Sequence, residues 1–156
     1  LRKSASLLTN KAKLDVTCPI CNSPMTLKSY TRETRVGRRV VRDGSMKAQQ
    51  CERCGAVDLS EEQVAGYERR AARTVLLESD QVGGAEIRFA RKALGLRQTD
   101  LAAALGCNPQ QISRYENDDK VDMWLRLAIA ALLDRVERGE SLETLGKDTR
   151  DLRLSA

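Results

Sequence analysis

Four cysteines in this 156-residue chain sit at spacings that suit a metal ion: Cys18 and Cys21 in CPIC, and Cys51 and Cys54 in CERC. A CxxC loop lets two sulfurs approach one ion from adjacent corners of a tetrahedron, and two such loops complete a closed four-thiolate shell. No histidine occurs in the chain, so all four ligands of the expected single structural Zn2+ are sulfur. The competing possibilities are disulfides and a thioredoxin-like redox pair. A cytosolic chain disfavours the first, and redox CxxC motifs normally sit singly at a helix start, which disfavours the second. A closed sulfur shell offers no open position for water, and there is no imidazole to move protons, so no enzyme activity is expected.

A second constellation runs from Leu94 to Asn117, LGLRQTDLAAALGCNPQQISRYEN. Its punctuation describes two short helices joined by a tight turn: Gly106 ends the first, Asn108 caps the second and Pro109 opens it. Leu101, Ala102 and Leu105 make an apolar edge on the first helix, and Ile112 and Tyr115 lie three apart on the second. With Trp124, Leu101, Ile112 and Tyr115 are expected in the core, and Cys107 is expected half-buried near the turn. The other side of the second helix carries Gln110, Ser113, Arg114 and Asn117. Gln offers a base edge both a donor and an acceptor, and Arg a planar fork that fits guanine O6 and N7. The chemistry expected is base readout in duplex DNA.

On these residues the segment from about Ile87 to Leu133 resembles the Xre or phage-repressor helix-turn-helix family. The resemblance implies base readout at Gln110 and Arg114, with Gln111, Ser113 and Asn117 as weaker candidates. It also implies phosphate contact at Gln98, with Arg97 beside it, and a structural pair between Arg91 and Glu116. Two positions depart from the family pattern. Arg97 stands where a capping Ser or Thr is usual, so that cap is lost or replaced. Asp118 stands where Gly usually follows Glu-Asn, so the next turn needs a left-handed or altered Asp.

The elements that must position these groups follow from pattern. MTLKSYTRETRV and RRVVRDGSMKAQQ read as strands with Gly37 at the reversal, while Asp43-Gly44 could mark a bulge or second turn. Such a hairpin would bring the two CxxC loops together, and a module this small needs its metal to fold. Its Lys28, Arg32, Arg35, Arg38, Arg39, Arg42 and Lys47, against Glu33 and Asp43, make either a second nucleic-acid surface or a charged edge that resists aggregation. Ser60-EEQ fits a capping box opening a connecting helix with Val64, Tyr67, Ala71, Val75 and Leu76 on one face, and Ser79 to Gly84 reads as a hinge. Beyond Asn117, Leu125, Ala128, Ile129, Leu132 and Val136 form an apolar stripe that Gly139 ends; it is expected to be mainly core, with its distal half able to join two protomers.

The expected fold is therefore two-domain α+β, a small zinc-bound β-hairpin module followed by an all-α five-helix Xre-type helix-turn-helix domain. The boundaries are a flexible arm over 1–16, the zinc module over 17–59, connecting helix and hinge over 60–83, the helix-turn-helix domain over 84–139 and a charged tail over 140–156. Formal charge is 27 minus 22, or +5, with a pI near 9.1. Four thiolates and one zinc ion would bring it to +3, still suited to a polyanion. No apolar run approaches a membrane span and no secretory core is present, so a cytoplasmic protein is expected.

The order of parts, a four-Cys module, a linker and an Xre domain, resembles the MqsA-type (YgiT-type) antitoxin family over about residues 17 to 133. That resemblance implies a homodimer formed through the C-terminal domain, a palindromic operator repressed by it, and a cognate toxin engaged by the zinc module. A basic hairpin cannot imitate RNA in a ribonuclease site, so neutralisation would use surface contacts or strand pairing. The alternative is a stand-alone zinc-ribbon and helix-turn-helix regulator without a toxin. A thiol oxidoreductase is a third and more distant class.

Overall fold

The computed structural model describes residues 16–142. The remainder of the expected arm and tail lies outside the described residues. Three strands come first, β1 (Met25–Val36), β2 (Arg39–Cys51) and β3 (Val57–Asp58), followed by five helices. These are α1 (Glu61–Glu78), α2 (Gly84–Ala93), α3 (Gln98–Leu105), α4 (Pro109–Tyr115) and α5 (Met123–Glu137). The strands form one antiparallel sheet in the order β1-β2-β3, with Gln49 opposite Asp58 and Gln50 opposite Val57. β1 and β2 reverse at Gly37, whose φ of 57° is the left-handed value a two-residue hairpin turn demands. Asp43 and Gly44 lie inside β2, so neither makes a second reversal.

Contacts divide the chain into two compact units. One unit comprises residues up to Ser29 together with Lys47–Asp58, and the other comprises Tyr30–Met46 together with Leu59 onward. The distal half of the hairpin thus belongs with the helices. Its Val36 is fully buried in a small cluster with Ala71 and Val75 of α1. Tyr67 of α1 is also fully buried, and its hydroxyl is shared between the carbonyls of Arg32 at 2.9 Å and Val41 at 3.0 Å. The Arg32 guanidinium lies 5.4 Å from the centre of the same ring, within cation–π range. A tyrosine spaced for a helix face therefore does more than fill space: its one O–H is directed between two strand carbonyls while its ring is buried.

α1 begins with the expected capping box, in which the Gln63 amide donates to Ser60 Oγ at 3.2 Å and the Ser60 amide donates to Gln63 Oε1 at 2.9 Å. It is not a mere connector. Ala72 and Leu76 enter the main core with Ile87, Ala90, Leu101, Ile112, Leu125, Ile129 and Leu133. Arg73 reaches Asp134 at 2.5 Å and Arg69 reaches Glu137 at 2.7 Å, both pairs partly shielded from solvent. The stretch after α1 is hydrogen-bonded to other elements. Ser79 and Val82 are buried, and Val121 donates its amide to Val82 O at 2.8 Å. Buried Arg126 donates to Leu76 O at 2.9 Å and to Ser79 O at 2.5 Å, capping the end of α1, whose own last turn holds no basic residue. No described helix is long and apolar enough to cross a membrane.

Candidate metal centre and nucleic-acid interface

The four-Cys unit is built from two knuckles with the same backbone plan. In the first, Cys18 N–H donates to Ser23 O and Asn22 N–H to Cys18 O; in the second, Cys51 N–H donates to Ala56 O and Gly55 N–H to Cys51 O. Each loop turns through a left-handed residue just after the CxxC, Asn22 at φ 57° and Gly55 at φ 75°. Asn and Gly are the two types that tolerate this region, so the local sequence explains both loops. The unit's apolar core is small: Cys18, Met25 and Cys51, with Val16, Cys21 and Ala56 against them.

All four sulfurs lie within 4.8 Å of one another, with Cys18 and Cys54 3.5 Å apart and Cys21 and Cys51 3.4 Å apart. Tetrahedral zinc with Zn–S bonds near 2.3 Å needs S···S separations of about 3.8 Å, so the cluster is already close to a coordination shell. Cys18, Cys21, Cys51 and Cys54 would hold such an ion, which would supply folding energy and present no open coordination position. Hydrogen bonds from the Ser23 side chain and amide lower the Cys21 thiol to about 6. Burial pushes Cys18 up, but backbone hydrogen bonds from Cys21 and Ile20 outweigh it and leave it lowered. For Cys54 the Ala56 amide favours the thiolate, yet contact with Cys18 and the other thiols prevails and pushes it up to about 12. A dication held by the four sulfurs would favour the thiolate form of each.

In the helical unit, Leu101 and Ala102 of α3 and Ile112 of α4 are buried, and Leu105 and Tyr115 pack half-buried against them. Gly106 closes α3 at φ 67°, with its amide donating back to Ala102 and Ala103 carbonyls. Asn108 caps α4 by accepting from the Gln110 amide at 2.9 Å. Gln111 Oε1 returns the bond by accepting from the Asn108 amide at 3.0 Å, so this side chain serves the cap. Asn117 Nδ2 donates to Ser113 O at 2.7 Å, and Arg88 Nη2 donates to Asn117 Oδ1 at 3.3 Å. Ser113 is half-buried. Gln110 and Arg114 differ from these: both are exposed, and neither side chain has a hydrogen-bond or ion-pair partner among the described residues.

Arg91 and Glu116 meet at the centre of a polar network. Arg91 Nε donates to Glu116 Oε1 at 2.5 Å, Arg91 Nη1 to Leu96 O at 2.8 Å and Arg88 Nη2 to Glu116 O at 3.1 Å. Gln98 Nε2 donates to Glu116 Oε2 at 2.8 Å, so the structure ties this side chain to the carboxylate. Burial pushes the Glu116 carboxyl up, but bonds from Arg91 and Gln98 outweigh it and hold it below the usual carboxylate range. Arg97 has no capping oxygen, and Asp100 substitutes from within α3 by accepting from the Arg97 amide at 3.0 Å. The Arg97 guanidinium bonds the same carboxylate while remaining largely exposed. Asp118 is not left-handed; Asn22 is the one non-glycine residue with positive φ among the described residues.

One core assignment is corrected. Trp124 is 48% exposed, its ring edge-on to Tyr115 at 5.9 Å, and it shares an exposed apolar face of α5 with Met123 and Leu127. Of the expected stripe, Leu125, Ile129 and Leu132 are in the core, while Ala128 and Val136 are half-buried. Sequence reasoning missed Glu86, Gly83 and Gly84. A Cβ on Gly84 would lie 2.2 Å from the Glu116 carbonyl carbon, so only glycine lets α2 start against the end of α4. The adjacent Gly83-Gly84 was the available signal.

A helix-turn-helix family model matches residues 87–136, which covers α3 and α4 with most of α2 and nearly all of α5. No curated protein matches the chain. The match and the geometry point to DNA binding and transcription regulation, with a four-Cys cluster able to hold a metal ion in the preceding segment.

Proposed function

We propose that the chain is a sequence-specific DNA-binding antitoxin and transcriptional autorepressor, with Gln110 and Arg114 reading bases in the major groove. One observation supports the assignment most: on α4 these two side chains are exposed and uncommitted, whereas Gln111 and Asn117 are engaged in local bonds. Gln98 and Arg97 stand at the start of α3 as phosphate contacts. For Gln98 this requires sharing its amide with Glu116. Two copies would place their recognition helices in successive major grooves about 34 Å apart on a palindromic operator. The exposed Met123, Trp124 and Leu127 face of α5 supports dimerisation through this domain. Sedimentation checks it, with Trp124→Glu expected to give monomers.

Arg114→Ala should cost about 1 to 3 kcal/mol on the preferred operator and relax one base preference. Binding titrations on operator and random duplexes test this; equal weakening on both would remove Arg114 from base readout. The antitoxin role draws on the order of modules and a closed four-Cys unit that would be structural, cytoplasmic and free of catalysis. Co-expression with the neighbouring gene product, followed by copurification and a growth test, decides it. Failure to bind or rescue would leave the stand-alone regulator.

A further inference from the structure

The hairpin turn carries charge into the helical unit in a way the helix-turn-helix alone would not. Both oxygens of the buried Glu86 carboxylate are occupied: Oε1 accepts from the Arg38 amide in the turn, and Oε2 from the Gly83 amide at the start of α2, each at 2.9 Å. Gly37 passes so close that a Cβ there would lie 2.1 Å from Glu86 Oε1. The turn is thereby seated, and its neighbouring Arg38 and Arg39 are left exposed. A cleft of about 530 Å³ is lined by these two arginines together with Arg88, Asn117, Asp118 and Asp119.

We infer that the hairpin turn is a second DNA contact, in which Arg38 and Arg39 hold backbone phosphate beside the C-terminal end of the recognition helix. This rests on the DNA-binding reading above. A duplex whose major groove receives α4 must carry its backbone past the end of that helix, where Asn117 is followed by two exposed carboxylates, Asp118 and Asp119. Those charges alone would repel phosphate. Arg38 Nη2 lies 3.3 Å from Asp119 Oδ1, and both partners are more than four-fifths exposed, so this pair is weak enough to exchange for phosphate. Arg39 has no carboxylate partner among the described residues. The other two carboxylates lining the cleft are committed, Glu86 to amides and Glu116 to Arg91, Arg88 and Gln98. The arginines of the turn thus offset an acidic edge that the recognition motif itself carries.

The test uses the zinc-loaded full chain, a duplex it selects from a randomised pool, and a random duplex of about two helical turns. Affinity is measured against salt for the wild type, Arg38→Ala/Arg39→Ala, Arg38→Lys/Arg39→Lys and Arg114→Ala. The Ala pair should lower the slope of log K against log salt by about 2 and weaken both duplexes alike, by about ten- to a hundredfold near 0.1 M salt. The Lys pair should restore the slope, because phosphate reads charge. A slope unchanged in the Ala pair, or lost and not restored by the Lys pair, would overturn the inference. If Arg114→Ala still loses discrimination in that case, base readout stands without the turn. A wild-type chain that binds neither duplex would overturn both.

Discussion

The four-Cys unit and the helical unit solve the stability problem with opposite resources. The first has a core of three buried residues, two of them cysteines, and relies on a cluster of sulfurs held within 4.8 Å. The second packs Leu76, Ile87, Leu101, Ile112, Leu125, Ile129 and Leu133 in one apolar cluster and adds an ion pair from half-buried Arg91 to buried Glu116. Burying a side chain of this size contributes about 1.5 to 3 kcal/mol, a resource that the four-Cys unit largely lacks. One chain thus joins a segment whose sulfurs could draw on coordination to another that folds by exclusion of water.

Metal removal should have the largest effect. A structural zinc contributes roughly 10 to 16 kcal/mol of apparent binding energy, so chelation or Cys51→Ser should unfold the four-Cys unit. Amide exchange should show protection lost over residues 16–29 and 47–58 while α3 to α5 keep theirs. Loss of protection in both units together would mean that the helical core is less independent than its packing indicates.

The next effect falls in the helical unit. Arg91→Ala strands Glu116 with one partner fewer in a nearly solvent-free position and should cost about 3 to 5 kcal/mol in denaturant melts. The same pair sets a pH dependence. Because the folded carboxyl is held below its unfolded value of about 4.3, its stabilisation is fully present above that value and is lost as pH falls through the folded one. Acid titration of Glu116→Gln should lack this component; identical acid curves would show that the pair carries no linkage.

A smaller change sharpens the role of glycine in the helical unit. Gly84→Ala forces a methyl group into the backbone of Glu116 and Tyr115, where no side chain can swing away. A loss of about 1 to 3 kcal/mol is expected. Gly55→Ala in the second knuckle meets open space and strains only its φ of 75°, so it should cost less. Parallel thermal melts of the two variants check the order, and a costlier Gly55→Ala would reverse it.

Legibility differed with the range of the interaction. The CxxC loops, the Ser60 capping box, the Gly106 and Asn108 punctuation and the Gly37 reversal were all readable, because each depends on the φ preference or hydrogen-bonding group of residues within a few positions. Trp124 was misread because helical spacing says that a face is apolar without saying whether another element covers it. Over 79–84 polar and glycine residues break a pattern, but the hydrogen bonds from distant Arg126 and Val121 to this segment are not legible in it.

Two CxxC pairs without any histidine, and the alternation of apolar and polar faces that makes α3 and α4 a helix-turn-helix, are legible in the order of residues. Those properties are local, fixed by residue type and spacing. Tertiary structure alone decided that the hairpin turn is seated on Glu86, 48 positions away, and that α1 completes the helical core. It also separated Gln110 and Arg114 from their committed neighbours on α4. Contacts between residues far apart in the chain depend on which surfaces exclude water together and which buried polar atoms find partners, and neither is written in any single stretch of sequence.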